Sequence, residues 1–146
     1  QGLGELSDAA TALDWIQAYN GNAPFSWVAG HSFGAWVGMQ LLMRRPEVAG
    51  FISVAPPTNM YDFTFLAPCP ASGIIIQGSE DKIVPPDDVD RVMAKIRVQK
   101  GIEISRHIEQ GAGHMFTNHL ERLEQIIEGY LDERLPTVYK ERRPKD

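Results

Sequence analysis

Apolar residues recur along this chain at two periods. Between Glu5 and Tyr19, Leu6, Ala10, Leu13 and Ile16 fall at helical spacing, and Glu5 and Asp8 put negative charge near the amino end. Asn20-Gly21-Asn22-Ala23-Pro24 ends that helix, with Gly21 or Asn22 suited to a left-handed C-terminal residue. Phe25 to Ala29 is short, apolar and aromatic, as in a buried strand. Phe33 through Arg44 predicts a second helix, carrying Ala35, Gly38, Leu41 and Leu42; its small residues let it lie close against a sheet. Arg44 and Arg45 stand at the negative end of its dipole, and Pro46 closes it.

Val48 to Ala55 is a second apolar run, broken by Pro56-Pro57-Thr58-Asn59 and followed by an irregular stretch to Pro70. Ser72 to Gly78 contains Ile74-Ile75-Ile76, unbroken and β-branched, as in a strand buried on both faces. Pro86 to Val98 predicts a helix with Val89, Val92, Met93 and Ile96 on one side. Ile102 to Ile108 alternates imperfectly, like a strand near a sheet edge. Thr117 to Leu135 is the last expected helix, with Leu120, Leu123, Ile126, Ile127, Tyr130 and Leu131 as its core face; Asn118 and Glu121 are spaced like a capping box. Strands alternating with helices predict the α/β class, a parallel sheet covered on both faces.

Composition narrows the function. At 146 residues, with 43% hydrophobic and 23% charged residues, the sequence has the length and make-up of one globular domain. A net charge of -5 leaves no electrostatic footprint for nucleic acid. The basic stretch from Lys140 to Lys145 is short, is interrupted by Glu141, and reads as a solvated tail. Cys69, the single cysteine, excludes an internal disulfide. No apolar run approaches transmembrane length, and Gln1-Gly2-Leu3-Gly4 does not read as a signal peptide, so the expected location is the cytoplasm.

The candidate chemistry starts at Gly30-x-Ser32-x-Gly34, between the strand ending at Ala29 and the helix starting at Phe33. A turn sharp enough to lift a serine hydroxyl off the end of a sheet strains the serine backbone. Side chains at positions 30 and 34 would collide with the neighbouring strand and helix, so glycine is expected at both. Two further stretches follow predicted strands: Gln77-Gly78-Ser79-Glu80-Asp81-Lys82-Ile83-Val84-Pro85 and Gly111-Ala112-Gly113-His114-Met115-Phe116. Chemistry in such a sheet gathers at the carboxyl ends of strands. The chain order is therefore Ser32, Asp81, His114.

These three motifs together resemble the α/β-hydrolase superfamily, most closely small lidless bacterial enzymes related to dienelactone hydrolases and carboxylesterases. The likeness runs to about Leu135. It implies a partial α/β-hydrolase fold over 1–135, a mostly parallel sheet of about four strands flanked by helices, with the N-terminal strands absent, and a basic tail over 136–146. It further implies Ser32 as nucleophile, His114 as general base and acid, and Asp81 as the residue that holds the imidazole. The backbone N–H of Phe33 would be one oxyanion donor, while Gly30 and Gly34 shape the elbow. No metal or organic cofactor is implied. The expected partner is a small-molecule acyl substrate, with no nucleic acid and no membrane; oligomeric state is left open.

Other residues compete for these roles. Glu80 adjoins Asp81, and Asp62 lies where some relatives keep a substitute acid. His31, tied to the elbow, suits a pocket wall better than a base; with Met60, Tyr61 and Met115 it makes up the expected substrate pocket. His107 and His119 read as structural or surface histidines, Cys69 as an unreactive thiol, and Trp15, Trp27 and Trp36 as core. The loop from Pro56 to Pro70, with Phe63 and Phe65, is the candidate acyl-pocket wall.

The segment before Ser32 has room for one helix and one strand, with no HGG-like stretch to supply a second oxyanion donor. Nothing in the sequence can pair with the outer edge of Phe25–Ala29, and the chain is expected to be the C-terminal part of a longer protein. The leading expectation is a serine hydrolase of esters, thioesters or lactones. The segment after Ala55 is too short for a cap domain, which favours small or protruding substrates. A peptidase of the same superfamily and a non-catalytic binding module on this scaffold are the alternatives. Half an oxyanion hole predicts an inactive isolated fragment, because one lost donor costs about a hundredfold or more in turnover.

Overall fold

Four strands run in one direction and lie side by side in chain order. A computed structural model describes residues 2–96 and 98–142. The elements are α1 (Leu3–Tyr19), β1 (Ser26–His31), α2 (Phe33–Arg44), β2 (Val48–Val54), β3 (Gly73–Gly78), α3 (Pro86–Met93), β4 (Ile104–Glu109) and α4 (Leu120–Glu141), with a 3₁₀ turn over Thr64–Leu66. The sheet order is β1-β2-β3-β4 with every pairing parallel, so all four carboxyl ends lie along one edge.

Alternation along β2 and β3 divides the core. Phe51 and Ile75 face α1, α2 and α3, where they pack with Leu6, Leu13, Met39, Leu42 and Val89. Ile52, Val54, Ile74 and Ile76 face the other way, toward Leu123, Ile126, Ile127, Tyr130 and Leu131 of α4. Both central strands are buried along their whole length, which is why Ile74-Ile75-Ile76 lacks a polar face. Gly73 is required by packing: a Cβ there would overlap the Phe51 ring. Arg45 joins the end of α2 to α1, donating to Asp14 Oδ1 at 2.7 Å and to Glu47 Oε1 at 2.6 Å. Among the described residues no helix is long and apolar enough to cross a membrane.

Several boundaries differ from the sequence-based expectation. β1 runs on through Gly30 to His31 and is half-buried rather than enclosed, because no described residue pairs with its outer edge. α3 stops at Met93; the chain turns there, and Val98 instead bridges to Cys69. Of the predicted helix Pro86–Val98, Arg97 lies outside the described residues. The last helix starts three residues later than expected, at Leu120, and continues through Pro136 to Glu141. The part of the basic tail beyond Arg142 lies outside the described residues. The expected capping box does not form: Asn118 takes a left-handed φ of 62° and His119 becomes the N-cap, without a side-chain cap bond. Trp15 is not core but 64% exposed, stacked on Tyr19, since it falls off the face that Leu6 and Leu13 bury. Trp27 and Trp36 are half-buried against Tyr130 and Tyr61.

Ile76 is fully enclosed in the α4-side core. Its truncation to alanine should cost roughly 2–5 kcal/mol, read as a lower urea midpoint at unchanged slope.

Candidate functional site

The carboxyl ends of β1, β3 and β4 each deliver one polar side chain to a common point. Ser32 follows β1 directly, and its φ of 53° and ψ of -120° turn the chain sharply into α2. Its N–H donates to the Val54 carbonyl at 2.8 Å, which anchors the turn to the neighbouring strand. Gly30 makes this turn feasible, because a Cβ there would overlap the Gly34 carbonyl. The crowding expected at Gly34 is absent: nothing lies within 4 Å of its Cβ position, which points outward from the first turn of α2. Phe33 is the first residue of that helix, so its N–H has no intrahelical acceptor.

Asp81 lies in the loop after β3 and is 4% exposed. Its Oδ1 accepts from the N–H groups of Ile83 at 3.0 Å and Val84 at 2.8 Å, leaving Oδ2 for a partner. That partner is Nδ1 of His114, at 2.8 Å. The other ring nitrogen, Nε2, lies 2.9 Å from Ser32 Oγ. A carboxylate only accepts, so Nδ1 carries the ring proton and Nε2 accepts from the serine hydroxyl. The result is a continuous hydrogen-bonded line Ser32–His114–Asp81, its imidazole and carboxylate shielded from solvent.

The loops that carry these groups are stitched together. Ser79 N–H donates to the Glu109 carbonyl at 2.9 Å and Glu80 N–H to that of Ala112 at 2.9 Å, while Gly111 N–H donates to Ser79 Oγ at 2.9 Å. Gly78 allows this contact, since a Cβ there would overlap the Ala112 carbonyl. Asn59 Nδ2 donates to the Ile83 carbonyl at 2.9 Å and so joins the loop after β2 to the acid loop.

The rival residues lie elsewhere. The Asp62 carboxylate accepts from Thr64, whose hydroxyl and backbone N–H hold it below the usual carboxylate range; it is not a partner of His114. Glu80 is exposed, and His107 pairs with Glu109 at 3.0 Å. His119, expected on a helix, sits ahead of α4 with Nδ1 near the Thr117 carbonyl. Of the expected pocket residues, His31 lies against the imidazole, with ring centroids 5.1 Å apart and its Nε2 donating to the His114 carbonyl at 2.8 Å, while the Met115 side chain, next along the chain, is exposed. Met60 is also exposed, while Tyr61 stacks on Trp36 at 4.5 Å and reaches the Phe33 ring at 5.7 Å. Tyr61 lines a cavity of about 220 Å³ between the loop after β2 and α3. Phe63 and Leu66 from that loop are buried in the core, so it serves in part as plain packing. A larger cleft, about 540 Å³, lies at the amino ends of the strands, away from Ser32. Gln77, buried at the end of β3 and hydrogen-bonded to Val84 of the acid loop, was not singled out by the sequence; one amide in an apolar run carries no periodic signal.

No protein-family profile matches the chain. Over 134 residues it is 46% identical to the uncharacterized protein RP471 of Rickettsia prowazekii, a match covering 89% of this chain and 56% of that protein. A solved structure from Agrobacterium tumefaciens, of a protein of unknown function grouped with the α/β hydrolases, superposes with a TM-score of 0.89 at 52% identity; the match covers 100% of this chain and 66% of that one. A serine hydrolase without a lid from Xanthomonas campestris superposes with a TM-score of 0.72 at 26% identity, over 99% of this chain and 60% of that one. The chain belongs to the α/β-hydrolase superfamily. It spans just over half the length of the Rickettsia relative and about two thirds of the Agrobacterium one. What it holds of the α/β-hydrolase fold is four parallel strands, the helices on both faces, and the sheet edge at which Ser32, Asp81 and His114 meet.

Two outcomes follow for this α/β-hydrolase. Gly30→Ala should lose about 1–3 kcal/mol through the clash with α2, whereas Gly34→Ala should stay within about 0.5 kcal/mol, both read from urea unfolding. Burial pushes the Cys69 thiol up, and its Sγ donates to the Ala71 carbonyl. At neutral pH it should stay unalkylated in the folded protein and react once denatured, as mass spectrometry of the Cys69 peptide would show.

Proposed function

We propose that the protein is a serine hydrolase that cleaves ester, thioester or lactone bonds through an acyl-enzyme, similar in subtype to carboxylesterases and dienelactone hydrolases. The observation that carries this reading is the unbroken hydrogen-bonded line from Ser32 through His114 to Asp81. Ser32 Oγ attacks the acyl carbon as its proton passes to His114 Nε2. The tetrahedral oxyanion is met by the Phe33 N–H at the start of α2. Collapse breaks the bond to the leaving group, which takes the proton from Nε2. Water then attacks the acyl-enzyme with His114 as base, releasing the acid and restoring the serine. Asp81 keeps Nδ1 protonated throughout and stabilises the imidazolium formed at each attack.

Similarity to a serine hydrolase without a lid supports an open site for small or protruding acyl groups. Met115, exposed and next in sequence to His114, would offer apolar surface to the acyl or alcohol portion.

A fluorophosphonate probe should label the intact protein at Ser32, and Ser32→Ala should abolish labelling. Equal labelling after Ser32→Ala, or none in the wild type, would favour a binding module instead. Asp81→Asn, which permits the wrong imidazole tautomer, should lower kcat on a short-chain nitrophenyl ester by roughly a thousandfold to ten-thousandfold.

A further inference from the structure

Among the described residues, Gln77 is the most enclosed of the polar side chains that the proposed chemistry leaves without a task. Gln77, at the end of β3, is 0% exposed, and an amide in such a place is disfavoured unless both ends are paired. Both are. Arg106 of β4 has donors only, so its Nη2, 2.9 Å away, identifies the facing atom as Oε1. Nε2 then faces the Val84 carbonyl and donates to it. Val84 is itself fully buried, and its N–H is one of the two that hold Asp81 Oδ1. Its peptide groups are therefore gripped on both sides, by Asp81 at the N–H and by Gln77 at the carbonyl. Arg106 is braced in turn by Asp90 of α3, through Nε at 2.9 Å.

From this chain of contacts we infer that Gln77, braced by Arg106, is a positioning residue: it holds the Val84 turn so that Asp81 meets His114. The inference rests on the hydrolase reading above. A methionine of similar length would fill the same space, but every polar atom of Gln77 is committed either to the acid loop or to the arginine that orients it. Neither Gln77 nor Arg106 is hydrogen-bonded to Ser32 or His114; the hydrogen-bonded route from Gln77 to the site runs through Val84 to Asp81.

Gln77→Glu tests this directly, because it keeps an acceptor for Arg106 and removes the donor to Val84. In the intact protein it should slow fluorophosphonate labelling of Ser32 by roughly tenfold to a hundredfold, beyond what its lowered Tm explains, since it also leaves the buried Val84 carbonyl without a donor. It should also weaken or abolish the low-field proton resonance of the His114 Nδ1–H bonded to Asp81. Arg106→Met, which removes the brace and leaves the amide, should cause a smaller loss in the same direction. Ile74→Val, which lowers stability within the core, should leave labelling and the resonance unchanged. Wild-type labelling and an intact resonance in a folded Gln77→Glu would overturn the positioning role while the hydrolase reading stands. A wild type that does not label overturns the hydrolase reading, and the resonance comparison then decides the role of Gln77 alone. Should Gln77→Glu fail to fold, Arg106→Met decides on the same two readouts: a normal rate and resonance there overturn the proposal.

Discussion

The structure depends on the common direction of its four strands. Parallel pairing puts His31 beside Val54, Val54 beside Ile76, and Gly78 beside Glu109, so the chain leaves each of these strands at the same edge. That register is held by burial on both faces. A one-residue slip of β3 would exchange Ile75 with Ile74 and Ile76 between two filled cores. Three loops far apart in sequence are thereby brought within hydrogen-bonding distance of one another.

Short-range bonds then refine what the sheet places coarsely. The links from Ser79, Glu80 and Gly111 fix the acid loop against the histidine loop, while Asn59 fixes it against the loop after β2. Asp81 accepts three hydrogen bonds, two of them from its own loop. Its orientation is therefore set chiefly by local backbone, with the imidazole added as the third partner. A carboxylate held this way cannot swing out to solvent without leaving the buried Val84 N–H unpaired.

Much of this was legible in the sequence because the strongest signals there are also the strongest constraints. Ile74-Ile75-Ile76 can only be a doubly covered strand in this context, and a serine framed by glycines between strand and helix permits few geometries. The misses have physical causes. Trp15 reads as core by its hydrophobicity, but it lies off the helical face of Leu6 and Leu13 and is exposed. Asn118 and Glu121 have capping-box spacing, but the loop from His114 must turn through left-handed residues at Phe116 and Asn118 to reach α4, which moves the cap to His119. Gly34 satisfies the sequence pattern without the steric need inferred for it, whereas Gly30 satisfies both. The two edge strands differ in legibility: the imperfect alternation of Ile102–Ile108 marks β4 as an edge, whereas β1 is apolar enough to read as enclosed, yet one side of its hydrogen-bonding ladder has no described partner.

The left-handed backbone at Ser32 has a further consequence. Its hydroxyl is aimed by main-chain torsions, locked between β1 and the first turn of α2, and further limited by the imidazole it meets. In the nucleophile role proposed for Ser32, the freedom of that oxygen is surrendered once, as the polypeptide folds, and not again at each encounter with a reactant. Any other short side chain at this position would leave the turn along the same Cα–Cβ direction, which belongs to the scaffold.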